Sequence, residues 1–338
     1  MKYATRLSLF LVLTAISAFG ANAQNAAPPA MPTFPAQTAE EKARSDADQA
    51  AYAKAPDTEG TGAFPAMKEE DAGLPNHVVY RPKDLAKVGP GQLGVVAWGN
   101  GACSADGAGS RLHLAEIASH GYLVVAPGGI YSGPGARQMP KPAADAPKFQ
   151  VQTTTADVKS GLEWALAENT RPGSPYYGKI DPAKVAVSGF SCGGIEAIAL
   201  AGDPRVKAVV IDNSGTFPDG ANFLSMLNVT KATLNTLHTP VLYILGGPKD
   251  IAYPNGMDDF QRINHVPAMV VSNSAGHGGD FLRPNGGPSA KVAVEWLEWQ
   301  LRGDKTAEAY FLGKDCGICG DQQWNVQRKN FPGTAVQP

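Results

Sequence analysis

The amino-acid sequence predicts a three-layer α/β domain with a mostly parallel central sheet and helices on both faces. Short apolar runs without polar alternation are the first indication, since strands buried on both faces have this pattern. These runs occupy residues 93–98, 123–126, 185–187, 206–211, 241–245 and 269–271. Helical patterns alternate with them at residues 110–120, 155–169, 192–200, 256–264 and 289–301. Alternating strands and helices are typical of doubly wound domains, whose reactive groups lie at the carboxyl ends of the strands.

Composition limits the classes of function. The chain has 338 residues, of which 43% are hydrophobic and 18% charged, so it can bury a substantial core. Its formal net charge of -2 argues against a nucleic acid or an anionic membrane as partner, because both require a basic surface. We predict a single domain over residues 61–338, with a C-terminal extension that begins near residue 303.

The N-terminus has the pattern of a signal peptide at residues 1–23. Lys2 and Arg6 give it a positive end, an apolar stretch follows, and a small-residue cleavage signal ends at Ala23. The stretch is too short for a stable membrane anchor, so we expect export to the periplasm or the medium. Residues 24–60 are rich in Ala and Pro and are expected to form a flexible arm.

A serine between a predicted strand and a predicted helix is the main chemical signal. Ser191 has Gly189 and Gly193 two residues away on either side. A serine in so tight a turn needs close neighbours that lack a Cβ atom. The amides at the start of the following helix favour negative charge nearby. Gly-x-Ser-x-Gly in this context predicts that Ser191 is a nucleophile.

The run Val-Ser-Gly-Phe-Ser-Cys-Gly-Gly at residues 187–194 resembles the nucleophile elbow of the α/β-hydrolase superfamily. Over residues 77–302 the chain is similar to secreted members near the dienelactone hydrolase, chlorophyllase and cutinase-like polyester hydrolase branches. The resemblance implies a serine esterase that acts on a small or polymeric ester through an acyl-enzyme and needs no cofactor. A peptidase or amidase on the same fold, or a non-catalytic binding protein, are the alternatives. Acyl and alcohol specificity and the oligomeric state stay open.

In this superfamily the acid and then the histidine follow the serine along the chain. His277 lies in a glycine-rich loop after a predicted strand, at the edge where the base is needed. His238 and His265 precede strands and therefore lie at the opposite edge. We predict His277 as the general base that accepts the proton of Ser191.

The predicted acid is Asp250, which follows the strand at residues 241–245. It would orient the imidazole and stabilise the imidazolium ion. Asp212, at the end of the preceding strand, is the stronger alternative, because some superfamily members place the acid there. Asp258, in the next predicted helix, is the weaker one.

The superfamily also implies two backbone amides that bind the oxyanion. One belongs to the residue after the nucleophile, Cys192. The other follows an early strand, where Trp98-Gly-Asn-Gly stands in place of the usual His-Gly-x-Gly, so we predict the amide of Asn100. The exchange of Trp for His leaves the register open by about one residue. Trp98, Tyr131 and Phe190 are candidates for an apolar substrate-binding wall, with ordinary packing as the alternative.

An even number of cysteines in an exported chain suggests disulfide bonds. A bond between Cys103 and Cys192 would join the two halves of the implied oxyanion hole, although both cysteines could be buried and unpaired. Cys316 and Cys319 form a C-x-x-C motif that we interpret as a local structural bridge rather than a redox or zinc site.

No metal site is predicted. His113, Glu116 and His120 share one face of a predicted helix, with a spacing that superficially resembles metal ligands. We interpret them instead as the polar outer stripe of a surface helix.

Overall fold

A computed structural model describes residues 38–141, 150–220 and 224–331, so the predicted signal peptide lies outside the described residues. Within these ranges the chain forms nine strands: β1 (Ala66–Glu69), β2 (His77–Pro82), β3 (Leu93–Gly99), β4 (Tyr122–Pro127), β5 (Ile180–Phe190), β6 (Ala208–Asp212), β7 (Val241–Leu245), β8 (Ala268–Ser272) and β9 (Asn325–Lys329). The α-helices there are α1 (Ala39–Lys54), α2 (Arg111–Ser119), α3 (Thr155–Glu168), α4 (Cys192–Leu200), α5 (Tyr253–Arg262), α6 (Gly287–Arg302) and α7 (Lys305–Phe311).

All nine strands belong to one sheet, in the order β1-β2-β4-β3-β5-β6-β7-β8-β9. The six strands from β4 to β8 in this order are parallel. The outer strands β1, β2 and β9 pair antiparallel with their neighbours. The predicted fold class, an α/β fold with a mostly parallel sheet, is confirmed.

The sheet separates two apolar cores, because successive side chains of a strand point to opposite faces. In β3, Val95 and Ala97 belong to the core that is covered by α3, α4 and α5. Val96 and Trp98 belong to the core that is covered by α2, α6 and α7. Burial on both faces explains the continuous apolar runs of the sequence.

The elements that the sequence analysis missed lie mostly at the margins of the domain. The strand β9 has the sequence NVQRK and is partly exposed at the sheet edge, so it lacks the apolar run of a central strand. The strand β1 has only four residues. Along the described residues, no helix has the length and apolar character needed to cross a membrane.

The segment predicted as a flexible arm contains the helix α1, and its end is fixed to the domain by Arg111. The guanidinium lies 3.9 Å from the ring centre of Tyr52 and donates to the carbonyl oxygens of Tyr52 (2.5 Å) and Ala55 (2.9 Å). Its Nε atom also pairs with the Asp57 carboxylate at 3.0 Å. This part of the arm is docked, a contact that composition alone did not indicate.

The helix α2 is not the surface helix that we expected. His113 is fully buried and packs beside Trp98, and burial lowers the pKa of its imidazole to about 3. Glu116 accepts hydrogen bonds from the backbone amide (2.8 Å) and hydroxyl (2.5 Å) of Thr61. Thr61, just after the arm, and Trp98 therefore bury two residues of the stripe that was interpreted as solvent-exposed.

We expect Arg111→Met to release the arm and to lower the free energy of unfolding by about 2 to 3 kcal/mol, because two carbonyl groups and one carboxylate lose their donor. Chemical denaturation and limited proteolysis measure the two effects. Arg171→Met is the matched control, because Arg171 is a surface residue paired with Glu168. Identical denaturation curves and cleavage patterns for Arg111→Met and the wild type would contradict the docking role.

Candidate active site

The backbone at Ser191 has a conformation that few residues adopt. Its φ of 54° and ψ of −120° lie outside the regions favoured by residues with a side chain. Its amide donates to the carbonyl oxygen of Asp212 (3.0 Å), and its own carbonyl oxygen accepts from the hydroxyl of Ser214 (2.6 Å). These bonds to the last residue of β6 and to the loop after it hold the turn between β5 and α4.

The two glycines of the motif permit a close contact between backbones. A Cβ atom on Gly193 would lie 2.4 Å from the amide nitrogen of Asn100, and one on Gly189 would lie 2.2 Å from the carbonyl oxygen of Gly193. Real side chains do not tolerate such distances. The absence of these Cβ atoms therefore allows the serine turn to pack directly against the loop after β3.

Three side chains meet at the carboxyl edge of the sheet. The Oγ atom of Ser191 lies 2.9 Å from Nε2 of His277, and Nδ1 of His277 lies 2.6 Å from Oδ1 of Asp250. With Nδ1 donating to the carboxylate, Nε2 is free to accept the serine proton. The imidazole is 28% exposed, whereas the carboxylate is fully buried. This geometry suits proton transfer from a hydroxyl that attacks a substrate.

Several donors keep Asp250 ionised. Burial opposes the charge, but hydrogen bonds from His277 and from the amides of Ala252 (2.8 Å) and Gly246 (3.2 Å) lower the pKa of the Asp250 carboxyl below its usual value. A buried carboxylate with these donors attracts the imidazolium ion that forms during proton transfer.

Neither alternative acid contacts the imidazole. Asp212 is fully buried beside the hydroxyl of Ser188 (3.2 Å), and burial raises the pKa of its carboxyl to about 8, so it is mostly protonated at neutral pH. Asp258 lies in α5, where it pairs with Lys231 (2.8 Å) and Arg262 (3.0 Å).

Asn213 is a residue of the site that the sequence analysis missed. Its side-chain amide donates both to Oδ2 of Asp250 (2.9 Å) and to the carbonyl oxygen of Gly276 (2.9 Å), which directly precedes His277. Its φ is 45°, a conformation that Asn adopts more readily than most residues. The sequence did contain one signal for Asn213. The residue directly follows Asp212, at the strand end where some members of the resembled superfamily carry the acid.

The predicted oxyanion-binding amides belong to neighbouring segments. Cys192 is the first residue of α4, and Asn100 follows β3 with its backbone against Gly193. A disulfide between Cys103 and Cys192 joins the two segments, with 5.2 Å between their Cα atoms. The side chain of Asn100 donates to two carbonyl oxygens, those of Ser104 (2.9 Å) and Pro127 (2.7 Å). The turn that carries the Asn100 amide is thereby fixed from both sides.

The three candidates for a substrate-binding wall lie in different places. Phe190 is half-buried, and its ring centre lies 5.4 Å from that of His277. Trp98 has no exposed surface, because its position in β3 points it into the core beneath Phe281, so its prediction as a substrate contact was wrong. Tyr131 is half-buried under the guanidinium of Arg137 (5.3 Å), and its described contacts do not reach the three side chains above.

The second predicted disulfide, between Cys316 and Cys319, is also present. In the part of the chain that the structure describes, no group of His, Cys, Asp and Glu side chains could hold a metal ion. Two disulfides indicate folding in an oxidising compartment.

The roles of the two buried acids can be separated by matched substitutions. We expect Asp250→Asn to lower kcat by about 10⁴-fold, because the imidazole loses its negative partner and its tautomer. Asp212→Asn should change kcat little, because an amide resembles the protonated carboxyl that is already there. Steady-state kinetics on an activated ester measures both. Comparable losses in the two variants would contradict the assignment of Asp250.

Asn213 should act through Asp250 and His277. We expect Asn213→Ala to lower kcat by about tenfold to a hundredfold with little change in KM, because a hydrogen bond to a charged group is lost. In Asn213→Asp a second carboxylate would face Asp250, and the added negative charge favours the protonated imidazole. The acid limb of the kcat/KM profile should then move to higher pH. A purely structural role would lower stability without moving that limb.

The comparison with protein families identifies a family for this chain. The model of the dienelactone hydrolase family matches residues 107–300, a range that includes Ser191, Asp250 and His277. A search of curated proteins found no match to the chain. The matched range is more than half of the 338 residues. The chain therefore belongs to the dienelactone hydrolase family, and its three-layer domain is an α/β-hydrolase fold.

Proposed function

We propose that this protein is a carboxylic ester hydrolase that forms an acyl-enzyme on Ser191. The observation that carries the proposal is the continuous pair of hydrogen bonds from Ser191 through His277 to Asp250, at 2.9 and 2.6 Å. The unusual backbone of Ser191 supports it, since strain of this kind is concentrated at functional sites.

The proposed reaction has two halves. In the first, Nε2 of His277 takes the proton of Ser191 as its Oγ atom attacks the ester carbonyl. The amides of Asn100 and Cys192 hold the resulting oxyanion, and Asp250 stabilises the imidazolium ion. The alcohol leaves with the proton from His277. In the second half, His277 activates a water molecule that releases the acid and restores the serine.

An ester is the preferred substrate class. The family is named for a hydrolase of a lactone, which is a cyclic ester. The ring of Phe190 beside His277 offers an apolar surface for part of the substrate. No described feature selects an amide over an ester, so we treat peptidase activity as an outcome of the test.

The proposed place of action is outside the cytoplasm. Both disulfides suit an oxidising compartment, and the N-terminal residues have the charge and apolar pattern of a signal peptide. The mature chain would then act in the periplasm or the medium.

The mature chain should be tested with p-nitrophenyl esters of increasing acyl length and with matched p-nitroanilides. We expect ester turnover to exceed anilide turnover and Ser191→Ala to lose at least about 10⁴-fold of it. Ser160→Ala, in the helix α3, is the matched control and should retain full activity, because the Ser160 hydroxyl contacts Asp157 and His77 and none of the three side chains of the site. A fluorophosphonate probe should label Ser191 alone. Faster anilide hydrolysis would favour an amidase, and absence of both turnover and labelling would contradict a hydrolytic role.

A further inference from the structure

The disulfide between Cys316 and Cys319 lies in a different environment from the one at the active site. It closes the short C-G-I-C loop between α7 and β9. Cys319 is exposed, whereas Cys103 and Cys192 are both buried. A dissolved thiol can therefore reach a sulfur atom of the C-terminal bond more readily than one of the active-site bond.

The guanidinium of Arg328 lies beside both sulfur atoms of this bond. The Nη1 atom of Arg328 is 3.7 Å from Sγ of Cys316 and 3.8 Å from Sγ of Cys319. The carbonyl oxygens of Phe311 and Gly313 accept further hydrogen bonds from the guanidinium and hold it in place. A neighbouring guanidinium favours the thiolate form of a cysteine.

A backbone amide provides a second donor. The N–H of Cys319 points at Sγ of Cys316, at 3.2 Å. The adjacent side chains of Lys314 and Asp315 are both exposed and carry opposite charges, so their fields offset each other. If the bond opened, the sulfur of Cys316 would become a thiolate next to two donors that are already positioned.

In contrast to the purely structural bridge that the sequence suggested, we propose that Cys316 and Cys319 form a redox-active disulfide that exchanges with dithiols. A thiolate of the dithiol attacks Sγ of Cys319 and forms a mixed disulfide, while the old bond breaks and leaves its electron pair on Sγ of Cys316. The second thiol of the dithiol, after losing its proton, attacks the first sulfur of the same dithiol, forms a disulfide with it and releases Cys319 as a thiolate. The dithiol is oxidised by two electrons, and the protein pair is reduced.

The loop has contacts that keep its conformation when the disulfide bond opens. The amides of Gly317 and Ile318 donate to the carbonyl oxygens of Ala309 (3.3 Å) and Tyr310 (3.0 Å), and Ile318 is buried. These contacts hold the two cysteines together without the sulfur–sulfur bond. Because the closed loop is short, its opening also frees little chain entropy compared with the 89-residue separation of the other bond.

The decisive experiment uses the oxidised mature protein in graded dithiothreitol, with acid quenching, alkylation and peptide mass mapping of all four cysteines. We expect the Cys316–Cys319 bond to open at least about tenfold faster than Cys103–Cys192, because only the former combines exposure with thiolate donors. Ester turnover should persist while the C-terminal pair is reduced. Equal rates for the two bonds, or a resistant C-terminal bond, would overturn the proposal.

Variants separate the effect of the Arg328 guanidinium on the rate of disulfide opening from the effect of exposure. Arg328→Gln should slow the opening of Cys316–Cys319 by about tenfold, which is the scale of one lost charge-assisted hydrogen bond, and Arg328→Lys should restore part of the rate. Arg205→Gln, which removes a surface guanidinium paired with Asp203, is the control. Circular dichroism verifies that each variant is folded. An unchanged rate in Arg328→Gln would refute the proposed thiolate stabilisation.

The double variant Cys316→Ser with Cys319→Ser keeps this proposal distinct from the hydrolase. It should lose all thiol exchange at the C-terminus and retain ester turnover. If the Cys316–Cys319 bond of the wild type does not react with a dithiol while ester turnover is present, the redox role is refuted. If no protein turns over the ester, the hydrolase role is refuted.

Discussion

The candidate site depends on one backbone contact, the approach of Gly193 to the segment Gly99–Asn100. A single Cβ atom on Gly193 would collide with that segment at about 2 Å, so the contact exists only because the side chain is absent. It brings the first turn of α4 beside the end of β3 and lets Ser191 stand in its strained turn. The Cys103–Cys192 bond then fixes covalently what the glycines permit sterically. Two amides from distant parts of the sequence can thus be held for one oxyanion.

The proposed acid and base, Asp250 and His277, belong to a second unit, formed by the loops after β6, β7 and β8. The amide of Gly276 donates to the carbonyl oxygen of Gly246 (2.9 Å), and the side chain of Asn213 spans from Asp250 to Gly276. Because these bonds cross from loop to loop, the orientation of His277 is set by all three. The hydrogen bond to Ser191 joins this unit to the glycine contact, so productive geometry requires both units to be correctly placed.

Placement of the three central side chains could be predicted because it follows from topology. In a parallel sheet the loops at the carboxyl ends of the strands lie at one edge. Asp250 and His277 can therefore lie near Ser191 although they are far from it in the sequence. The direction of a side chain is harder to infer. Trp98 ends an apolar strand in which both faces are buried, so its sequence does not reveal that it points into the core. Asn213 was missed because its partners are backbone and carboxylate groups of two other loops, which no local pattern encodes.

Local sequence patterns also do not show how the arm docks or what surrounds each disulfide. Several of the contacts that dock the arm come from Arg111, whose partners lie more than 50 residues earlier in the chain. Cysteine spacing suggests which sulfurs pair, but not what surrounds them. One bond is buried between two segments of the proposed oxyanion site, and the other lies near the surface against Arg328. Identical covalent chemistry therefore supports rigidity in one place and reactivity in the other, because exposure and neighbouring charge decide how readily a thiolate can form.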